Sequence, residues 1–166
     1  MYKESIPSVY RFDPTHKGAN KYQNPETGVW YNAGHAVEAA FKCAFCGYNV
    51  NDCTGDRAKF ETRADCYGKS GVGYGVKSYR ANLGYYRPEG GESKEGQVEY
   101  FLRTDAANMY VWGVQVDEEV VCYIMTRDEF SEFLHSKCWV WVQADMMVKQ
   151  RSLPTVTIAW LEGHLD

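Results

Sequence analysis

RADCYGKSGVGYGVKSYR, residues 63–80, sets a carboxylate, a glycine-rich turn and a lysine within eighteen positions. Strand alternation puts Glu61, Arg63, Asp65 and Tyr67 on one face of a strand over 59–68, and Gly75, Lys77 and Tyr79 on one face of a second strand over 74–83. Residues 69–73 between them have the glycine content of a hairpin turn. Paired antiparallel, the two strands bring Asp65 toward Lys77. Such a pair is either a cross-strand salt bridge, or an acid that holds a divalent cation beside a lysine that orients a water against a phosphodiester. Spacing by itself favours the salt bridge.

The same glycines suggest a phosphate cradle, because Gly68, Lys69 and Ser70 form the tail of a phosphate-binding loop. That motif needs a glycine where Arg63 stands and a helix after the serine, whereas Gly71, Val72 and Gly73 lead into a strand. Gly71, Gly73 and Gly75 fail the dinucleotide fingerprint for the same reason. Nucleotide binding is set aside.

Outward from this hairpin, Ala36, Val37, Ala40, Phe41, Ala44 and Phe45 recur at helical spacing, predicting a helix from 32 to about 46 with Gly47 as its stop. Glu38 lies at the margin of its apolar face. Residues 1–31 carry Pro7, Pro14 and Pro25 and no sustained period, so they read as an arm or long loop. After the hairpin, 84–97 is a long polar loop. MYVWGVQV (109–116) and VVCYIM (120–125) predict a second hairpin, and Thr126 with Glu129 has the capping-box pattern ahead of Phe130, Phe133 and Leu134. WVWVQADM (139–146) and TVTIAWL (155–161) read as two final strands. The sum is one α/β or α+β domain over 1–166, a mixed sheet with helices on it, comprising an arm (1–31) and a core (32–166).

At 166 residues, 45% hydrophobic and 24% charged, the chain is long and apolar enough to bury one core. No apolar run approaches a membrane span, and the first residues lack the pattern of an export signal, so a cytoplasmic, membrane-free protein is expected. The net charge of −4 conceals a division along the chain. Seven basic residues against two acids occupy 57–87, and seven acids against Arg127 occupy 104–132. Arg57, Lys59, Arg63, Lys69, Arg80 and Arg87 are therefore candidate phosphate contacts around the opening motif, with Tyr85 and Tyr86 placed to stack on bases.

Six cysteines in a chain without an export signal suggest reduced thiols rather than a disulfide framework. Cys43 and Cys46, with Cys53 and Cys66, offer four thiolates, but two fall inside a predicted helix and the spacing is not that of paired CxxC knuckles, so zinc is disfavoured. Cys66, opposite in face to Asp65, reads as buried. The four histidines are dispersed, and only His35, three residues before Glu38, lies near the candidate site.

A helix carrying Glu38, then Asp65, then nine intervening residues, Gly75, Val76 and Lys77 resembles the E…D…(D/E)XK core of the PD-(D/E)XK nuclease superfamily. The helix ending at Gly47, the second hairpin, the capped helix and the last short strand are similar in order and length to the smallest restriction endonucleases, over roughly 33–161. The core also resembles that of small prophage-encoded members. The resemblance implies a restriction-endonuclease-like mixed central sheet flanked by helices. It implies Asp65 as principal metal ligand, Lys77 beside the attacking water, Glu38 as the helix carboxylate, and Mg²⁺ or Mn²⁺ as cofactor. One position departs from the pattern, because Gly75 stands where the family has Asp or Glu. Glu61 or Glu38 would have to fill that place, or the site is catalytically dead; Gly75→Glu would then refill it. Two functions follow: a DNA-handling, divalent-metal endonuclease with a depleted site, or a non-catalytic phage-derived relative that binds a protein or nucleoprotein complex as an anti-restriction or anti-CRISPR inhibitor. DNA or such a complex is the expected partner, and a homodimer is left open.

Overall fold

The computed structural model describes residues 1–50, 64–78, 107–116, 118–136 and 155–166. In chain order the strands are β1 (Tyr2–Pro7), β2 (Arg11–Phe12), β3 (Tyr22–Gln23), β4 (Trp30–Tyr31), β5 (Cys66–Tyr67), β6 (Gly73–Ser78), β7 (Met109–Val116) and β8 (Glu119–Thr126); the helices are α1 (Ala33–Phe45), α2 (Arg127–His135) and α3 (Thr155–Gly163). One sheet runs β1-β8-β7-β6-β5, antiparallel throughout except where β6 lies parallel to β7, and β2-β3-β4 form a small second sheet. This is an α+β fold with a mixed sheet between helices.

The central strand β7 reads as an almost continuous apolar run because both of its faces are covered. On one face, Val37, Ala40 and Phe41 of α1 pack on Val76, Val111, Val120, Cys122 and Ile124. On the other, Tyr110, Trp112, Tyr123 and Met125 pack on Phe130, Phe133 and Leu134 of α2 and on Leu161 of α3. Both hairpin readings hold within the described residues, as do the helix limits. Asn32 caps α1, its side chain accepting from the His35 N–H at 2.9 Å. Beyond the helix Gly47 takes a φ of +72°, and the Tyr48 N–H closes back on the Lys42 carbonyl at 3.2 Å. Thr126 and Glu129 form the expected capping box. No helix among the described residues is long and apolar enough to cross a membrane.

Two expectations need correction. Residues 1–31 are not an arm: β1 is an edge strand paired with β8 from Tyr2↔Ile124 to Pro7↔Glu119. Ile6 is its one buried side chain, so a backbone ladder places the strand where no apolar period announces it. Farther on, Tyr10 and Tyr22 pack under Ala33, Ala36 and Ala39 of α1. The stretch read as a strand over 155–161 is helical. There Thr157 and Leu161, four apart, are buried together, Trp160 stacks on His164 and meets Phe133, and Glu162 accepts from Tyr123 Oη at 2.7 Å and from Lys3 Nζ at 2.8 Å. These contacts need a period of 3.6 and outweigh the strand preference of Thr, Val and Ile. The parts of the predicted strands at 59–63 and 79–83, the loop at 84–97 and the strand at 139–146 lie outside the described residues.

Candidate functional site

β5 is two residues long and pairs with the start of β6, Cys66↔Tyr74 and Tyr67↔Gly73. Asp65 extends the edge pairing. Its N–H donates to the Tyr74 carbonyl at 2.9 Å, and its Oδ2 accepts from the Val76 N–H at 2.7 Å. A charge-assisted bond of this kind fixes the carboxylate at the sheet edge while Oδ1 keeps its acceptor capacity.

Above that edge runs α1, antiparallel to β6. Gly34 approaches Ser78, and Phe41 meets the ring of Tyr74 at 5.1 Å, which sets Glu38 at the level between them. Burial pushes the Glu38 carboxyl above its ordinary value, and the Asp65 charge pushes it further, while Lys42 and Lys77 pull it back. The charges of Asp65 and Lys77, both on other elements, are thus felt at the Glu38 carboxyl. Lys77 pairs in register with Trp112, so like Gly75 it lies on the face of β6 turned away from α1, not beneath the helix that carries Glu38.

A residue the sequence reading passed over completes the cluster. Lys42 Nζ donates to Glu38 Oε1 at 2.6 Å, with its side chain only 3% exposed. Burial lowers the ammonium, but Glu38, Cys66 and Asp65 together hold it above its ordinary value. The signal available in the sequence was the i,i+4 spacing of Glu38 and Lys42. The ammonium also lies 5.9 Å from the centroid of the Tyr48 ring. Beyond it, Cys46 and Cys66 place their sulfurs 3.1 Å apart. Cys66 is buried, as its strand face implied.

Gly75 is explained by what stands against it. A Cβ built there would lie 2.9 Å from two carbons of the Tyr110 ring and 3.4 Å from Ala107 Cβ. Tyr110 cannot yield, being stacked on Phe130 at 4.3 Å with its hydroxyl accepting from Arg127 at 2.9 Å. A side chain at 75 points into that aromatic layer, on the side of the sheet away from α1, so the refilling of the site by Gly75→Glu does not follow. Even Gly75→Ala is expected to cost about 1–3 kcal/mol through overpacking. An unchanged urea midpoint would show that Tyr110 moves aside.

Lys69 is exposed at the tip of the β5–β6 turn, where Gly71 takes a φ of +83°. Arg57, Lys59, Glu61, Arg63, Arg80 and Arg87 lie outside the described residues. His35 is taken up by the helix cap, its Nδ1 lying 3.0 Å from Asn32 Oδ1. Among the described residues no three His, Cys, Asp or Glu side chains converge on one point. Two carboxylates with open acceptor capacity still suit magnesium or manganese, which commonly use one or two protein carboxylates and complete their shell with water and phosphate oxygens. No family model, curated protein or solved structure matches the chain.

Proposed function

We propose that this chain handles DNA, with Glu38 and Asp65 holding a divalent cation, magnesium or manganese, against a phosphodiester. The supporting observation is the placement of Glu38 on α1 above the edge of β6 at which the Val76 amide holds Asp65, near enough that the Asp65 charge adds to burial in raising the Glu38 carboxyl. A cation between them would relieve that repulsion, polarise a phosphoryl oxygen and acidify a water. Asp65 is held for this role by the Val76 amide, and Glu38 by Lys42, whose ammonium occupies the cation's electrostatic place until one binds. Lys77, on the Gly75 face of β6, supplies positive charge at the sheet edge. The exposed Lys69 at the turn contacts a phosphate.

A second reading, a catalytically silent scaffold that binds DNA or a nucleoprotein complex as an anti-defence inhibitor, is favoured by the packing of Gly75 on Tyr110. That packing denies the site its third acid, while Lys42 already neutralises Glu38.

Supercoiled plasmid and branched DNA incubated with Mg²⁺ or Mn²⁺ separate the two. The expected result is metal-dependent nicking that falls to the metal-free level in Asp65→Ala and Lys77→Ala. Absence of cleavage by the unmodified chain across metals and substrates removes the enzymatic reading. Salt-sensitive DNA retention in that case supports the scaffold, since phosphate contacts release counterions, and absence of retention leaves a protein partner.

A further inference from the structure

At the C-terminal end of α1 the Cys46 thiol lies against the Cys66 sulfur at the start of β5, Sγ to Sγ 3.1 Å. Both are free thiols, Cys46 half-buried and Cys66 buried. A disulfide needs about 2.05 Å between sulfurs, so a closure of roughly 1 Å separates the pair from a covalent bond. The side chains already aim at one another from elements that the Phe41–Tyr74 contact holds in place. Lys42, one turn back on α1, places its ammonium where it acts on both sulfurs.

We propose that Cys46 and Cys66 are a modification site, a reversible intramolecular disulfide formed by exchange with a low-molecular-weight aliphatic disulfide, which ties the end of α1 to the strand that directly follows Asp65. Accessibility sets the order of attack, because Cys46 is the one solvent reaches. Its sulfur attacks one sulfur of the oxidant R–S–S–R, breaking that bond, forming a mixed disulfide and releasing one R–SH with the Cys46 proton. The Cys66 sulfur then attacks the Cys46 sulfur, its proton leaving with the second R–SH. Two electrons pass from the pair of thiols to the oxidant, and a thiol reductant reverses both steps. The inference stands on the geometry of the two sulfurs and is independent of any cleavage activity.

The full chain is equilibrated in glutathione buffers of increasing oxidised fraction, quenched in acid, alkylated and mapped by mass spectrometry without reduction. The expected result is loss of two alkylatable thiols and a cross-linked peptide pair joining Cys46 to Cys66, restored to free thiols by dithiothreitol. The oxidised form should also melt roughly 5–10 °C higher, as a closed loop of about 20 residues predicts. Cys46→Ser and Cys66→Ser each abolish the cross-link, whereas Cys122→Ser, on a distant strand, leaves it in place. Persistence of both thiols in excess oxidant, a mixed disulfide at Cys46 that does not resolve, or a bond from either residue to another cysteine would overturn the proposal. Because the mapping is made on the unmodified chain, a variant that fails to fold leaves the result intact.

Discussion

Lys42→Met lowers the unfolding free energy by about 3–5 kcal/mol near pH 8, the cost of leaving one member of a buried ion pair without its partner. Glu38 is then a largely buried carboxylate under the influence of the Asp65 charge, without the ammonium that lies 2.6 Å away in the native pair. The loss should depend on pH in a definite direction. In the native chain the Glu38 carboxyl stands above its ordinary 4.5, so only in the interval between the unfolded and folded values does the folded state hold a proton that the unfolded chain has released. Stability contributed by such a group falls as pH rises from the unfolded value through the folded one. Removing Lys42 pushes the folded value higher, widening that window, so the defect is largest in mild alkali and shrinks toward pH 5. Lys42 itself behaves in the complementary way. Its ammonium is held above its ordinary value, so its contribution is complete below 10.5 and is lost as pH rises through the folded value. Glu38→Gln combined with Lys42→Met should recover much of the stability and flatten the profile. Urea titrations at several pH values measure all of this, and a pH-independent cost for Lys42→Met would mean that Glu38 is not the group left exposed to the penalty.

Gly113→Ala is expected to cost about 3 kcal/mol, at the upper end of what overpacking usually produces. Gly113 lies in β7 directly beneath α1, and a methyl there would sit 2.3 Å from Val37 Cγ1 and 3.5 Å from Val120 Cγ1. Both neighbours are buried branched side chains with few rotamers to retreat into. The helix must therefore lift from the sheet, and it carries Glu38 and Lys42 with it. Gly113→Ala/Val37→Ala should be less destabilised than the sum of its single changes, since one truncation makes room for the other. Strict additivity in urea unfolding would place Val37 away from β7 and break the link between this glycine and the candidate site.

Local signals were enough for the elements whose contacts are close in sequence. Asn32 and Gly47 bound α1, Thr126 and Glu129 start α2, and the glycines around Gly71 turn the β5–β6 hairpin, because capping and turn geometry involve residues only a few positions apart. Glu38 and Asp65 were legible as single acids, on a helix margin and just ahead of a strand, because residue chemistry needs no partner; that the Asp65 charge reaches Glu38 came from the packing of α1 on β6. Tertiary structure decided the rest. The sequence alone determined a mixed α+β chain with acids at 38 and 65 and a lysine at 77, since periodicity and residue chemistry act over short distances. Only the packed sheet decided that β1 is a strand, that 155–163 is a helix, that Tyr110 fills the space beside Gly75 and that Lys42 closes on Glu38, because each depends on a partner far along the chain or on a layer that exists only once the strands have assembled.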